Sequence, residues 1–382
     1  MALLSAGKST SVVGLDIEAG SVAATEVRSN GRAEVVGQGI VPLPAGVFRE
    51  GEVVDPEALG AAIKQLFREH NLGSAVRLGI ANQRVAVRTM TLPAIDDPSE
   101  LETAIRFQAQ DHIPMPLDQS VLDWQVLGHS QAESGERRVE VVAVAARRDM
   151  LQQVMAALTA AGVRPIGIDH AAFGMVRALA REPGAPVGAG QFVGAPTHDD
   201  GTDSDLRAGK AELAFDGPTP VHLYCNLGDV TNLAVARGGS CLFTRISPFG
   251  VEGIAQKLAE RRELTLEHSR QWLAHVGLQQ PLELIEGDPE HATAARECLA
   301  EGVAKLADEL RLCLDYYGAQ EGAGAVERIV ACGPGATIPG LVEQLQRQLG
   351  RPFAIARPAA LAGLDQATAA RLTLPYGLAL EE

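Results

Sequence analysis

A pattern of short apolar strands joined by a turn of small residues occurs twice along the chain, over residues 11–41 and again over 221–250. Apolar stretches of this length predict β-strands, and Asn-Gly or Gly-Gly between two of them predicts a hairpin. The predicted strands are 12–17 and 21–27 in the first copy, and 223–227 and 230–236 in the second. Because the unit returns in the other half of the chain, the pattern indicates a protein built from two related halves.

Each copy delivers a short polar side chain to the end of its first strand, Asp16 in one case and Asn226 in the other. Backbone N–H groups in the turn that follows can point outward, which suits the phosphates of a nucleotide. Two such turns that face each other would hold one ligand from two sides. The simpler alternative for Asp16 is a turn cap, a common role for Asp.

The remaining pattern predicts an α/β protein with an insertion. Asp55-Pro56 begins a helix that has apolar residues at helical spacing, and helical spacing recurs after the second copy, interrupted at Pro281 and Pro289. The predicted domain map is a first domain in two parts (11–83 and 164–182), an inserted α+β module (84–163), a flexible acidic Gly/Pro-rich loop (183–220), a second domain (221–355, helical at about 251–317) and a C-terminal segment that returns to the first domain (356–382). The loop is assigned because it has too few apolar residues to offset chain entropy.

Composition narrows the classes of partner and of chemistry. The chain has 33 basic and 48 acidic residues, a net charge of −15, so nucleic acid is not an expected partner. Five cysteines without a CxxC pair favour a reduced, cytosolic compartment. The sequence has no run of 18 apolar residues, so no membrane-spanning segment is expected. No HExxH, GxSxG or Cys-His signature supports metal-dependent or covalent catalysis.

Three motifs resemble the nucleotide-binding motifs of the superfamily that holds actin, hexokinase and the large heat-shock chaperones. GLDIEAGSV (14–22) is similar to the phosphate-1 motif, NLGDVTN (226–232) to phosphate-2, and IVACGPGATIPGL (329–341) to the adenosine motif. Longer stretches resemble the PilM family, the FtsA-like cytoplasmic scaffolds of type IV pilus machines. These stretches are LPAIDDPSELETAIRFQAQDHIPMPLDQSVLDWQVLG (92–128), RLCLDYYGAQ (311–320) and LPYGLAL (374–380).

The resemblance implies an actin-like α/β fold of two domains, each a ribonuclease-H-like unit, with an SHS2-like α+β subdomain inserted. It also implies ATP in the interdomain cleft, with Mg²⁺ near Asp16. The residues assigned to the nucleotide are Asp16, Gly20, Ser21, Asn226, Gly228, Thr231, Asn232, Gly333, Gly335 and Gly340. For the last three, a turn into a helix is an equally good reason for Gly. Asp169 resembles an acid that lines the cleft, although we favour a helix cap for it.

The resemblance further implies a partner, the cytoplasmic N-terminal peptide of PilN, together with other pilus platform proteins and motor ATPases. The protein would then be cytoplasmic and peripheral to the inner face of the membrane through its partners. Ile113 and Trp124 lie in a strip of the module that would form part of a groove wall for the peptide. The alternative is that both residues belong to the core of the module, which is the usual place for such side chains.

The motifs depart from the family pattern at three positions. Glu18 stands where the family has Gly, Asn226 where it usually has Asp, and Pro334 within what is usually a triple Gly. A carboxylate about 4 Å from a phosphate oxygen weakens binding by on the order of a thousandfold at an effective dielectric of 20. We therefore expect weak ATP binding and very little hydrolysis.

Two other functions use the same fold. A sugar or acetate kinase would need a carboxylate poised as general base beside the γ-phosphate, and no clear residue of that kind is present. The cytoplasmic part of a type II secretion platform protein would normally continue into a membrane span, which this sequence does not contain. We favour a nucleotide-binding scaffold, at most a weak ATPase.

Overall fold

The computed structural model describes residues 11–29, 32–131, 135–180, 219–320 and 322–380. Within these residues the chain forms two compact units, one from 11–84, 149–180 and 220–380 and the other from 85–148. Nearly all of the predicted loop 183–220 lies outside the described residues, as does the predicted hairpin Asn30-Gly31.

The elements alternate between strands and helices through most of the chain. In the first half they are β1 (Ser11–Glu18), β2 (Ser21–Ser29), β3 (Ala33–Pro42), β4 (Phe48–Arg49), β5 (Glu52–Val53), α1 (Pro56–Glu69), β6 (Ala75–Ile80), β7 (Val85–Pro93), α2 (Pro98–His112), β8 (Ser120–Gln131), β9 (Arg137–Arg147), α3 (Arg148–Ala161), β10 (Arg164–His170) and α4 (Ala171–Ala180). In the second half they are β11 (Val221–Leu227), β12 (Thr231–Arg237), β13 (Ser240–Ser247), α5 (Val251–Arg262), α6 (Leu266–Val276), α7 (Pro289–Gly318), β14 (Val326–Cys332), α8 (Leu341–Leu349), β15 (Phe353–Ile355) and α9 (Gln366–Ala379).

The larger unit contains two sheets with the same topology. Over the described residues the first sheet has the order β10-β6-β1-β2-β3 and the second has the order β15-β14-β11-β12-β13. In both, the central strand pairs antiparallel with the hairpin strand that follows it and parallel with the strand on its other side. Matching order and direction at every position is what a duplicated unit predicts, so the repeat found in the sequence is a structural repeat. We call the parts built on these sheets the first lobe and the second lobe.

Helix starts follow the local cap chemistry. The Asp55 side chain accepts hydrogen bonds from two backbone N–H groups of α1, and Pro56 occupies its first turn, as predicted. Asp288 and Pro289 do the same for α7, a single helix of 30 residues. The predicted interruption at Pro281 and Pro289 is thus present, because α6 ends at Val276 and α7 begins at Pro289, where a first-turn proline costs no helical hydrogen bond.

The C-terminal helix α9 packs on α4 and on the first sheet, so the chain returns to the first lobe as predicted. The contact is backbone to backbone: a Cβ built on Gly377 would lie 1.8 Å from the carbonyl oxygen of Gly174. No side chain fits at that distance, so this crossing requires Gly. Arg77 from β6 donates to the carbonyl oxygens of Leu378 (3.1 Å) and Leu380 (2.6 Å), which satisfies the helix end.

The smaller unit, residues 85–148, is a three-stranded sheet of order β7-β9-β8 with helix α2. Its apolar core includes Ile105 and Val141, both fully buried. Helix α3 falls in the larger unit rather than with this sheet, although the predicted insertion extended to residue 163. The physical reason is close packing on α1, where a Cβ on Gly60 would lie 2.7 Å from Cβ of Ala160.

Candidate functional site

The two repeated turns meet where the lobes face each other. The first turn follows β1 at Glu18, and the second follows β11 and includes Gly228 and Asp229. Glu18 bridges them: its Oε1 accepts a hydrogen bond from Asn226 Nδ2 (2.8 Å), and its Oε2 accepts one from the backbone N–H of Asp229 (2.6 Å). The side chain is 9% exposed, so these bonds lie away from water.

Gly228 makes room for this carboxylate. A Cβ built on Gly228 would lie 2.1 Å from Glu18 Oε1 and 2.2 Å from Oε2, distances that no real contact shows. Any other residue at 228 would therefore push the Glu18 side chain away from the turn. Gly228 is thus needed because a side chain from the other lobe fills its place.

Asp229 makes a contact in the opposite direction. Its Oδ2 accepts a hydrogen bond from the backbone N–H of Gly51 (3.1 Å), at the tip of the β4–β5 hairpin of the first lobe. Asn82 donates to the carbonyl oxygen of the same Gly51 (2.9 Å), which holds the hairpin tip in position. Each lobe thus supplies a carboxylate that accepts a backbone N–H of the other.

Two arginines flank the bridged turns. Arg270 from α6 pairs with Glu252 (2.5 Å) and donates to the carbonyl oxygen of Ala19 (3.2 Å), so it also connects the lobes. Arg371 from α9 donates to Ser21 Oγ (2.8 Å). Both arginines thus contact the first turn, at Ala19 and Ser21, and neither bonds to Glu18 in these contacts.

Burial changes the acidity of the carboxyl groups at the turns. It raises the pKa of Asp16 to about 7, which a hydrogen bond from Ile17 and the charge of Arg371 only partly oppose. Burial also raises the pKa of Glu18 well above its ordinary value, and the nearby charge of Asp16 adds to this. For Asp229, burial raises the pKa to about 6 against hydrogen bonds from the hairpin backbone. Burial at the turns therefore favours the neutral form of each of these three acids more than water does.

The structure brings some predicted nucleotide residues together and separates others. Asp16 and Asn226 line one small cavity with Glu18 and Asp229. Gly20 lies against the Arg270 guanidinium, 3.1 Å from a built Cβ, and Ser21 is the acceptor for Arg371. Thr231 Oγ1 donates to the carbonyl oxygen of Phe249 (2.7 Å). Asn232 is fully buried, and its side chain has no hydrogen-bond partner among the described residues.

The predicted adenosine glycines occupy the turn between β14 and α8. Gly333 has a φ of +81°, and a Cβ built on it would lie 2.1 Å from Asn226 Oδ1. Gly340 also has a φ of +81° and precedes α8, where its neighbour is Gln279. Gly335 packs against Leu227 and Val251. Gly333 and Gly335 thus approach Asn226 and Leu227 at the end of β11, whereas Gly340 lies beside Gln279, away from the turns.

The two predicted partner residues belong to the smaller unit. Ile113 is 4% exposed and lies in its apolar core, while Trp124 is partly buried against the same core. Ile113 therefore has little surface for a partner. Trp124 keeps exposed atoms, and its role in binding stays a prediction.

Sequence reasoning did not identify several residues of the site. Asp229 and Gly51 had no assigned role, because Asp in a turn and Gly in a hairpin are ordinary. Arg371 sits in a helix remote in sequence. Asp169 was favoured as a helix cap, which is wrong: it pairs with Arg177, and His170 Nδ1 accepts the N–H of Ala172 instead.

A nucleotide with Mg²⁺ does not fit these residues as they stand. The cavity beside Asp16 has a volume of about 30 Å³, roughly a water molecule, whereas small-molecule sites span about 300–1,000 Å³. The turn N–H that could receive a phosphate already binds Glu18, and the carboxyl-bearing residues Asp16, Glu18 and Asp229 all line the cavity. In the described part of the chain, no cluster of three or more His, Cys, Asp or Glu residues is arranged to hold a metal ion.

Comparison with known proteins identifies the family and the fold. Residues 14–183 and 226–380 match the family described as type IV pilus assembly protein PilM. The chain is similar to a solved PilM-PilN type IV pilus biogenesis complex at 22% identity and a TM-score of 0.73, over 96% of this chain and 97% of that chain.

Two more distant solved structures are also similar to this chain. The ethanolamine utilization protein EutJ from Carboxydothermus hydrogenoformans is 12% identical with a TM-score of 0.50, over 97% of this chain and 89% of that chain. MreB5 of Spiroplasma citri bound to ADP is 12% identical with a TM-score of 0.45, over 96% and 94%.

The fold is the predicted actin-like α/β fold of two domains. Across the described residues, no helix is both long enough and apolar enough to cross a bilayer. The chain belongs to the PilM family of type IV pilus assembly proteins.

Proposed function

We propose that this chain is a cytoplasmic scaffold of type IV pilus assembly that binds the N-terminal cytoplasmic peptide of a PilN protein. The observation that carries the proposal is the family match, which extends over both lobes and the inserted unit. A similar structure is a PilM-PilN complex, which supports the choice of partner. In this role the chain would be peripheral to the membrane through its partners, other platform proteins and motor ATPases among them.

The smaller unit has the surface features of a peptide-binding part. Its large exposed apolar side chains are Phe107, Val121 and Leu127, and Phe107 is 73% exposed. Within the described residues β7 and β8 are the edge strands of its sheet. An edge strand offers free backbone hydrogen-bonding groups that an extended peptide can pair with. We therefore keep the 84–163 segment, and Trp124 in it, as the proposed PilN-binding region.

Calorimetric titration of the purified chain with a synthetic PilN N-terminal peptide tests this function. We expect saturable binding, and Trp124→Ala should weaken it by about tenfold or more, as loss of an aromatic contact does at a binding hot spot. Leu284→Ala is the matched control, since Leu284 is 69% exposed and lies in the other unit. Absence of binding by the wild-type chain would refute the proposed partner.

For the nucleotide, we propose weak binding of ATP and little or no hydrolysis, with Asp16 as a contact to Mg²⁺. The position of Glu18 on the Asp229 N–H supports this, because a phosphate would need the same donor. A kinase function gains no support, since Glu18 and Asp229 are engaged in hydrogen bonds and Asp16 is buried.

A further inference from the structure

We propose that Glu18 and Asp229 form a reciprocal clasp that holds the two lobes together through the donors a bound phosphate would use. The clasp is defined as the Glu18 bonds to Asn226 and Asp229 together with the Asp229 bond to Gly51. It goes beyond the scaffold function, because it makes closure of the lobes independent of nucleotide.

The first step is the chemistry of the donor. A backbone N–H at the end of a strand that turns is a common anion site, whether the anion is a phosphate or a carboxylate. The Asp229 N–H donates to Glu18 at 2.6 Å, a short distance for an N–H donor. Glu18 therefore acts on this donor as a phosphate oxygen would, but it is covalently part of the first lobe.

The second step is the match of the neighbours to a carboxylate. Asn226 presents an amide N–H to Glu18, whereas an aspartate at that position would set two carboxylates against each other. Gly228 leaves the volume that the carboxylate fills. The second lobe thus provides both the hydrogen-bond donor, Asn226, and the space beside Gly228. These two contacts fix the conformation of the Glu18 side chain.

The third step is that the lobes are already packed beneath the clasp. One apolar cluster contains buried side chains from both lobes and from α9. From the first lobe and α9 come Ala171, Met175, Leu374 and Leu378, and from the second lobe come Tyr224, Ala234 and Cys332. Apolar burial of this kind supplies the attraction between the lobes, and the hydrogen bonds of the clasp fix the position of one turn relative to the other.

The consequence is competition at one donor. A nucleotide phosphate can bind the second turn only after Glu18 leaves the Asp229 N–H. Glu18 is thus a specificity-determining residue that excludes anions from a turn whose backbone is otherwise suited to them. The clasp and the PilN interaction are separate, so either can fail without the other.

Hydrogen–deuterium exchange of the full chain without nucleotide tests the clasp. In the wild type, peptides covering 226–232 and 48–53 should be protected. In Glu18→Gly, exchange in 226–232 should be about tenfold faster or more, since the Asp229 N–H loses its acceptor. Glu18→Gln should give a smaller increase, because its amide oxygen can still accept the Asp229 N–H. Asp229→Asn should raise exchange in 48–53 in the same way.

The control is Glu34→Gln, an exposed acid on β3 of the same lobe, which should leave both peptides unchanged. If Glu18→Gly unfolds as a whole, seen as fast exchange in α7, Glu18→Gln alone decides. Unchanged exchange in 226–232 for the variant that folds overturns the clasp. So does a wild type whose 226–232 peptide exchanges as fast as an open loop.

Discussion

The turn after β1 and the turn after β11 occupy equivalent places in two sheets of equal topology, yet they differ in size and charge. Asp16 lies near the end of β1 and Asn226 near the end of β11. Two residues further along, the first copy has Glu18 and the second has Gly228. The Glu18 carboxylate lies where a Gly228 side chain would be. The comparison teaches that the two copies are complementary: the second copy lacks a side chain where the first provides one.

Asp16 and Asn226, the polar residues two positions before Glu18 and Gly228, also differ in charge. Asp16 is an acid whose pKa is raised by burial, whereas Asn226 is a neutral amide that donates to Glu18. Two of the departures from the family pattern, Glu18 and Asn226, thus meet in one hydrogen bond. Their coupling suggests that neither should be changed alone without loss of stability.

The largest effect is expected for Asn226→Asp. This change removes the donor and puts a second carboxylate about 3 Å from Glu18, so we expect a loss of about 2–4 kcal/mol in the free energy of unfolding at pH 8. Chemical denaturation measures it. Adding Glu18→Gln should restore most of the loss, as a double-mutant cycle would show. Equal losses with and without Glu18→Gln would mean that the two residues are not coupled.

A smaller effect is expected for Gly228→Ala. The new Cβ would displace the Glu18 carboxylate, and forcing a group into a packed site costs about 1–3 kcal/mol. Gly239→Ala is the matched control, since nothing lies within 4 Å of a Cβ built there. Thermal unfolding of the two variants should differ, with Gly228→Ala the less stable. If both unfold at the same temperature, the space at 228 is not filled by Glu18 in solution.

The next effect concerns pH. The pKa of Asp16 is raised to about 7 in the folded chain, so its contribution to stability is full below its ordinary pKa near 4 and is lost as pH rises through about 7. Asp16→Asn removes this titration. Between pH 4 and pH 8 the free energy of unfolding should therefore fall more in the wild type than in the variant. Parallel pH profiles of the two proteins would show that folding does not raise the pKa of Asp16.

The smallest effect lies outside the turns, at the cap of α7. Asp288→Ala removes the side-chain acceptor for two N–H groups of the first helical turn and should destabilise the chain by about 1 kcal/mol. Unlike Asn226→Asp, it should leave exchange in 226–232 unchanged. A faster exchange there would show that the clasp depends on general stability rather than on its own contacts.

Much of the fold could be predicted because its signals are local. Short apolar runs mark the strands of both copies, and Asp55-Pro56 marks a helix start. The actin-like arrangement followed from the repeat and the resemblance. The predicted interruption at Pro289 is the start of α7, where the Asp288 side chain caps the helix.

The candidate site could be predicted only in part, because its contacts join residues far apart in sequence. The sequence shows that Glu18 places a carboxylate where the family has Gly, which disfavours phosphate binding. It does not show that Glu18 reaches the Asp229 N–H, since that depends on how the lobes pack. Electrostatic repulsion was the expected effect of Glu18, whereas the structure adds a direct one, occupation of the donor.

Calorimetric titration with Mg·ATP, comparing the wild type with Glu18→Gly, tests the central claim most directly. The variant frees the Asp229 N–H and removes a carboxylate, so it should bind Mg·ATP about tenfold to a thousandfold more tightly than the wild type. Glu34→Gln, which removes the same charge from an exposed position, should bind like the wild type. Equal affinity in the wild type and Glu18→Gly, or tighter binding by the wild type, would contradict the account.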